Sequence, residues 1–88
     1  MQHLKINIQG KLQDTGYMYF VRQIAFLYGI KGFVKYTDDD SVLISAEGKP
    51  DAMKRFVELS RIGSYNIKIE HYEATKSPVV NYEIFEIK

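Results

Sequence analysis

Residues 4–28, LKINIQGKLQDTGYMYFVRQIAFLY, change their hydrophobic period partway along. Leu4, Ile6, Ile8 and Leu12 fall on one face of an extended chain, and Lys5, Asn7, Gln9 and Lys11 on the other. Period two predicts a strand of a sheet covered on one side. Gln13-Asp14-Thr15-Gly16 then supplies turn-forming residues. From Tyr17 the apolar positions are Tyr17, Phe20, Val21, Ile24, Ala25 and Tyr28, one stripe of an amphipathic helix. Asp14 or Thr15 is placed to cap its start, and Gly29 to end it in the left-handed conformation.

Outward from this unit the pattern stays regular. Ile30–Thr37 and Ser41–Glu47 are β-rich runs around Asp38-Asp39-Asp40, which predicts a hairpin with an acidic tip. Gly48 ends the second run, and Pro50 suits the first turn of a helix. Ala52, Met53, Phe56, Val57 and Leu59 give that helix an apolar side, and Gly63 stops it. Tyr65, Ile67 and Ile69 alternate with Asn66, Lys68 and Glu70 as a fourth strand, Ala74–Pro78 reads as a loop, and Val79–Ile87 as a last strand. Val80, Tyr82 and Ile84 have one parity and Phe85 and Ile87 the other, so a bulge is expected near Ile84. The order predicts an α+β, ferredoxin-like βαββαβ sandwich with an additional C-terminal strand and two helices on one face of an antiparallel-rich sheet.

The 88 residues suit a single domain, 1–88. At 45% hydrophobic and 26% charged the composition is globular, and a formal charge of +1 lacks the basic excess of a nucleic-acid or membrane-surface binder. Absence of cysteine excludes thiolate catalysis, disulfides and cysteine zinc sites. No apolar run approaches the roughly 20 residues of a membrane span, and no signal peptide is recognisable, so a cytoplasmic location is expected.

Gly10-Lys11-Leu12-Gln13-Asp14-Thr15-Gly16-Tyr17-Met18 resembles, at the same spacing, the acylphosphatase signature G-x-V-Q-G-V-G-F-R. Gly29-Ile30-Lys31-Gly32-Phe33-Val34-Lys35-Tyr36 is similar to the family's G-L-x-G-x-V-x-N, and Ala25, Ala46-Glu47-Gly48, Gly63, Tyr82 and Phe85-Glu86-Ile87 match further positions. The resemblance covers essentially the whole chain. It implies hydrolysis of acyl phosphates to a carboxylate and orthophosphate, with no metal or cofactor. It also implies an anion-binding loop at Gln13, Asp14, Thr15, Gly16, Tyr17 and Met18, where backbone N–H groups and a helix N-terminus take a phosphate. The partner expected there is a small anionic or phosphorylated ligand.

Both catalytic positions implied by the resemblance are occupied by other residues: the arginine position is Met18 and the asparagine position is Tyr36. Methionine carries neither charge nor donor. Asp14 stands where the signature has glycine and brings negative charge to a loop for a dianion. Loss of one transition-state donor costs about 10²–10³ in rate. The residues therefore favour a degenerate, non-catalytic binding or regulatory module. The alternative is an active acylphosphatase with a rearranged site using Arg22, Lys11 or Tyr36, although the two cations read more simply as solvated surface charges.

Other signals are weaker. Lys31–Tyr36 loosely resembles the aromatic RNA-binding motif of RRM domains, but is one residue short and on the second strand, so a nucleic-acid-binding α/β sandwich is the weaker alternative. Three adjacent aspartates lack the spacing of a metal loop, and neither His3 nor His71 has a ligand-like partner in sequence. No metal site and no membrane partner are expected, no protein partner is identified, and the chain reads as a monomer or weak dimer with an exposed strand edge.

Overall fold

The computed structural model describes residues 1–38, 40–64 and 67–88. Its elements are β1 (Gln2–Lys11), α1 (Tyr17–Leu27), β2 (Lys31–Asp38), β3 (Ser41–Gly48), α2 (Pro50–Ile62), β4 (Lys68–Lys76) and β5 (Phe85–Ile87). The sheet order is β4-β1-β3-β2-β5. Every neighbouring pair is antiparallel except β2 and β5, which run parallel. This is the expected ferredoxin-like α+β sandwich with its extra C-terminal strand. Asp39, Tyr65 and Asn66, which the sequence assigns to the hairpin tip and the start of the fourth strand, lie outside the described residues.

The alternation at the start of the chain builds one face. Leu4, Ile6 and Ile8 of β1, Val42, Ile44 and Ala46 of β3, and Val34 of β2 are buried with Tyr17, Val21, Ile24 and Ala25 of α1 and Met53 and Phe56 of α2. Helix α1 packs over β2 and β5, and α2 over β3 and β4. The ends of α1 differ from expectation at the N-terminus alone. Gly16 holds the N-cap position and has no side chain to cap with; the Thr15 hydroxyl, one residue earlier, instead accepts the first helical N–H, that of Tyr17. At the other end Gly29 has φ +68°, and the Ile30 N–H donates to Ala25 at 2.8 Å, a left-handed stop.

Two expectations in the C-terminal third are corrected. Ala74–Lys76 is strand, not loop: Ile6 faces Ala74 and Leu4 faces Lys76, so the free edge of β1 is paired almost to its beginning. Val79–Ile84 is not strand, and no bulge reconciles the two parities. The segment instead crosses the sheet face opposite the helices, with Asn81 at φ +68°, and only Phe85–Ile87 joins β2.

A buried polar group holds that crossing in place. Glu47, 1% exposed, accepts the backbone N–H groups of Val80 and of Tyr82, the latter at 2.9 Å. His3 Nδ1 lies 2.6 Å from the Pro78 carbonyl, which can only accept, so Nδ1 carries the proton. His3 Nε2 is 2.7 Å from Ser45 Oγ, which is 2.9 Å from the Tyr82 hydroxyl. His3 thus has a structural role that its isolation in sequence conceals.

Candidate functional site

The loop between β1 and α1 is organised around one carbonyl. The oxygen of Leu12 accepts the Thr15 hydroxyl at 2.6 Å and the Tyr36 hydroxyl at 3.2 Å. Thr15 Oγ1 in turn accepts the Tyr17 N–H at 3.3 Å. A side chain of the loop and one from β2 are therefore tied to the same backbone atom, which fixes the turn from strand to helix. Asp14 has φ +60° and Gly16 φ +78°. Aspartate is among the few non-glycine residues that enter this region readily, so Asp14 keeps a geometry suited to glycine. A Cβ on Gly16 would meet open space, so conformation, not crowding, calls for glycine there.

Helix α1 begins directly after this turn. Its first amides have no carbonyl one turn back, and its N-terminal end carries partial positive charge. The arrangement of a tight turn leading into a helix N-terminus can take an anion.

The side chains of the loop divide. Tyr17 turns inward: its buried hydroxyl donates to the Ser60 carbonyl at 2.8 Å. Burial, then the neighbouring Tyr72, pushes its phenol well above the usual tyrosine range. Met18 is partly buried against the core and offers no charge. Asp14 is exposed. Tyr36, 37% exposed, brings its ring from β2 to the loop, where partial burial and then the charge of Asp14 raise its phenol above the ordinary value.

The two cations considered as substitutes have other surroundings. Arg22 lies over the Tyr19 ring, 5.4 Å from its centroid, and lines a groove between α1 and β5. Lys11 lines a depression shared with Asp38, Asp40 and Glu70. Among the described residues no hydrogen bond or ion pair carries either cation onto the loop. Nor, among the described residues, is any group of three or more His, Asp and Glu side chains placed to hold a metal or any helix long and apolar enough to cross a membrane.

The loop is legible in its turn residues and Tyr36 through the resemblance, but the hydroxyl pair on Leu12 has one signal, a threonine in the turn. The Glu47 cluster has no signal beyond polar residues at strand positions.

Comparison with known proteins accounts for this architecture. The family model Acylphosphatase matches residues 4–87. The acylphosphatase of Thermotoga maritima is 36% identical over 88 residues, covering 100% of this chain and 98% of that protein. That of Archaeoglobus fulgidus is 34% identical over 84 residues, covering 96% and 94%. The crystal structure of acylphosphatase from Bacillus subtilis superposes with a TM-score of 0.94 at 34% identity, covering 100% of this chain and 99% of the other. With the family model spanning nearly every residue and the fold reproduced end to end, the chain belongs to the acylphosphatase family.

Proposed function

We propose that this chain, as a single cytoplasmic domain spanning residues 1–88, binds the phosphate group of small acyl phosphates at the β1–α1 loop. It hydrolyses them there to a carboxylate and orthophosphate, slowly. The reading is carried by the loop itself: left-handed Asp14 and Gly16, the Leu12 carbonyl holding Thr15 and Tyr36, and the start of α1 directly behind. Full-length similarity to proteins named acylphosphatase supports the reaction class.

Slow turnover follows from the side chains. Met18 supplies no clamp for phosphate oxygens, and Tyr36 presents a phenol whose hydrogen is committed to Leu12. Phosphate binding then rests on backbone N–H groups and the helix terminus, opposed by the Asp14 charge. Without a cationic clamp, the charge that develops in the transition state loses its strongest support. A second reading, a binding or regulatory module without turnover, is favoured by the joint presence of Met18 and Tyr36.

Hydrolysis of benzoyl phosphate above the spontaneous background separates these readings. The native chain is compared with the variant carrying Asp14→Gly, Met18→Arg and Tyr36→Asn. The proposal expects native turnover at least about 100-fold below the variant's. Native silence beside an active variant overturns turnover in this chain and leaves the module reading, which loop amide shifts in a phosphate titration then test. Equal rates would overturn slow turnover and point to a rearranged site using Arg22 or Lys11, tested by replacing each with alanine.

A further inference from the structure

The exposed side of α1 faces β5 across an open groove of about 640 Å³, a size ordinary for small-molecule sites. Its walls are apolar and aromatic. Phe26 is 86% exposed and Ile84 60% exposed, and Tyr19 and Phe85 also line it. Side chains of this size left in water along one groove exceed the scattered exposure normal for a monomer surface.

The charged lining has one sign. Arg22 and Lys31 line the groove and no carboxylate does. Neither cation takes part in an ion pair among the described residues. Arg22 is held over the Tyr19 ring, so its guanidinium stands at the groove and not at random in solvent. The C-terminus of α1, which would repel an anion, is partly offset here. The carbonyls of Ile24, Ala25 and Phe26 already accept the N–H groups of Tyr28, Ile30 and Gly29.

An apolar trough with two unneutralised cations is complementary to a molecule with an apolar body and a negative head. We propose that the α1–β5 groove binds a small amphiphilic anion, an aryl-alkyl or alkyl carboxylate. Its tail lies against Phe26, Ile84 and Phe85, and its carboxylate meets Arg22 and Lys31. The site is separate from the β1–α1 loop, and the proposal does not depend on turnover there.

The test is a titration of the ¹⁵N-labelled chain with 4-phenylbutyrate, followed by amide and Arg22 side-chain resonances. Neutral 4-phenylbutanamide is the control. Saturable shifts confined to residues 19–31 and 84–85, at least about tenfold weaker with the amide, support the proposal. The Arg22→Gln, Lys31→Gln double variant, both changes at exposed positions, should keep its spectrum and lose about tenfold in affinity. Equal binding of acid and amide overturns the charge assignment. Shifts centred on residues 12–18, or none up to millimolar ligand, overturn the site. Groove shifts that follow protein concentration alone identify a second copy as the occupant and overturn it as well.

Discussion

A carboxylate oxygen of Glu47 accepts the backbone N–H of Tyr82 at 2.9 Å, across a gap of 35 residues and in a position 1% exposed. The other oxygen accepts from Val80. The C-terminal crossing is thereby held by charge-assisted bonds as well as by contact between rings, with Tyr82 edge-on to both His3 and Phe33. Glutamine at position 47 keeps the shape but replaces one acceptor with an NH₂ that meets a backbone N–H. Glu47→Gln should lower stability by about 2–4 kcal/mol. Urea denaturation measures this; a loss below about 0.5 kcal/mol would show that the crossing does not depend on the charge.

The same carboxylate gives the fold a defined acid sensitivity. Burial alone would raise its pKa, but the N–H groups of Val80, Tyr82 and Asn81 together with His3 outweigh burial and hold it below the ordinary 4.5. A group whose folded pKa is depressed contributes stability that is full above its unfolded pKa. That contribution fades as pH falls through the folded value. Stability should therefore drop below about pH 4.5 more steeply in the native chain than in Glu47→Gln. Parallel slopes in chemical denaturation from pH 6 to pH 3 would refute the assignment.

Gly32 occupies a place no other residue can take. Its φ is +141°, and a Cβ built there would lie 1.8 Å from the Ser45 carbonyl oxygen of the adjacent strand. Gly32 also donates its N–H to Ile84 at 2.8 Å, the first tie to the last strand. Gly32→Ala combines backbone strain with a clash that only movement of β2 from β3 relieves. A loss of at least about 3 kcal/mol is expected, read as a shifted denaturation midpoint or as failure to fold.

These positions mark where the sequence is legible and where it is not. Leu4, Ile6 and Ile8 announce β1 because one face of the strand meets the core and the other meets water. Pro50 and Gly63 bracket α2 by backbone preference alone. Ala74-Thr75-Lys76 looks like a turn because its residues are small or polar, yet β1 needs a partner along that edge and tertiary pairing overrides local preference. Val79–Ile84 looks like strand by composition, but Glu47 requires N–H groups from Val80 and Tyr82, which lie 33 and 35 residues away. The site divides in the same manner. The turn Gln13–Gly16 shows in its turn-forming residues and Tyr36 only through the family resemblance, whereas the direction of Arg22 depends on its stacking with Tyr19.

Tyr17 offers a test of loop against core. Although it sits at the start of α1, its hydroxyl is buried and donates to Ser60, beside the Ser60–Tyr72 hydroxyl pair at 2.7 Å. Tyr17→Phe should cost about 1–2 kcal/mol by leaving that carbonyl short of a donor, with phosphate binding unchanged. In a spectrophotometric titration the native chain and the variant should show the same number of phenols ionising while folded. They should differ by one only after unfolding.

Asp14 is the clearest point at which the loop opposes the ligand proposed for it. Its carboxylate adds negative charge where an anion would sit, and that same charge, after partial burial, raises the Tyr36 phenol. Asn at position 14 keeps the left-handed conformation, since asparagine tolerates φ +60° as well as aspartate does, and it removes the charge without removing the side chain. Repulsion between exposed charges a few ångströms apart is worth about 1 kcal/mol, so Asp14→Asn should tighten phosphate binding about fivefold at low ionic strength. The gain should shrink as salt screens the pair. The Tyr36 phenol should ionise at lower pH in the variant, because one of its two causes of elevation is gone. Loop amide shifts in a phosphate titration report the first effect and phenolate absorbance the second. A lowered Tyr36 with unchanged phosphate affinity would place the charge beside the phenol but away from the ligand, and would remove the loop from the proposed site.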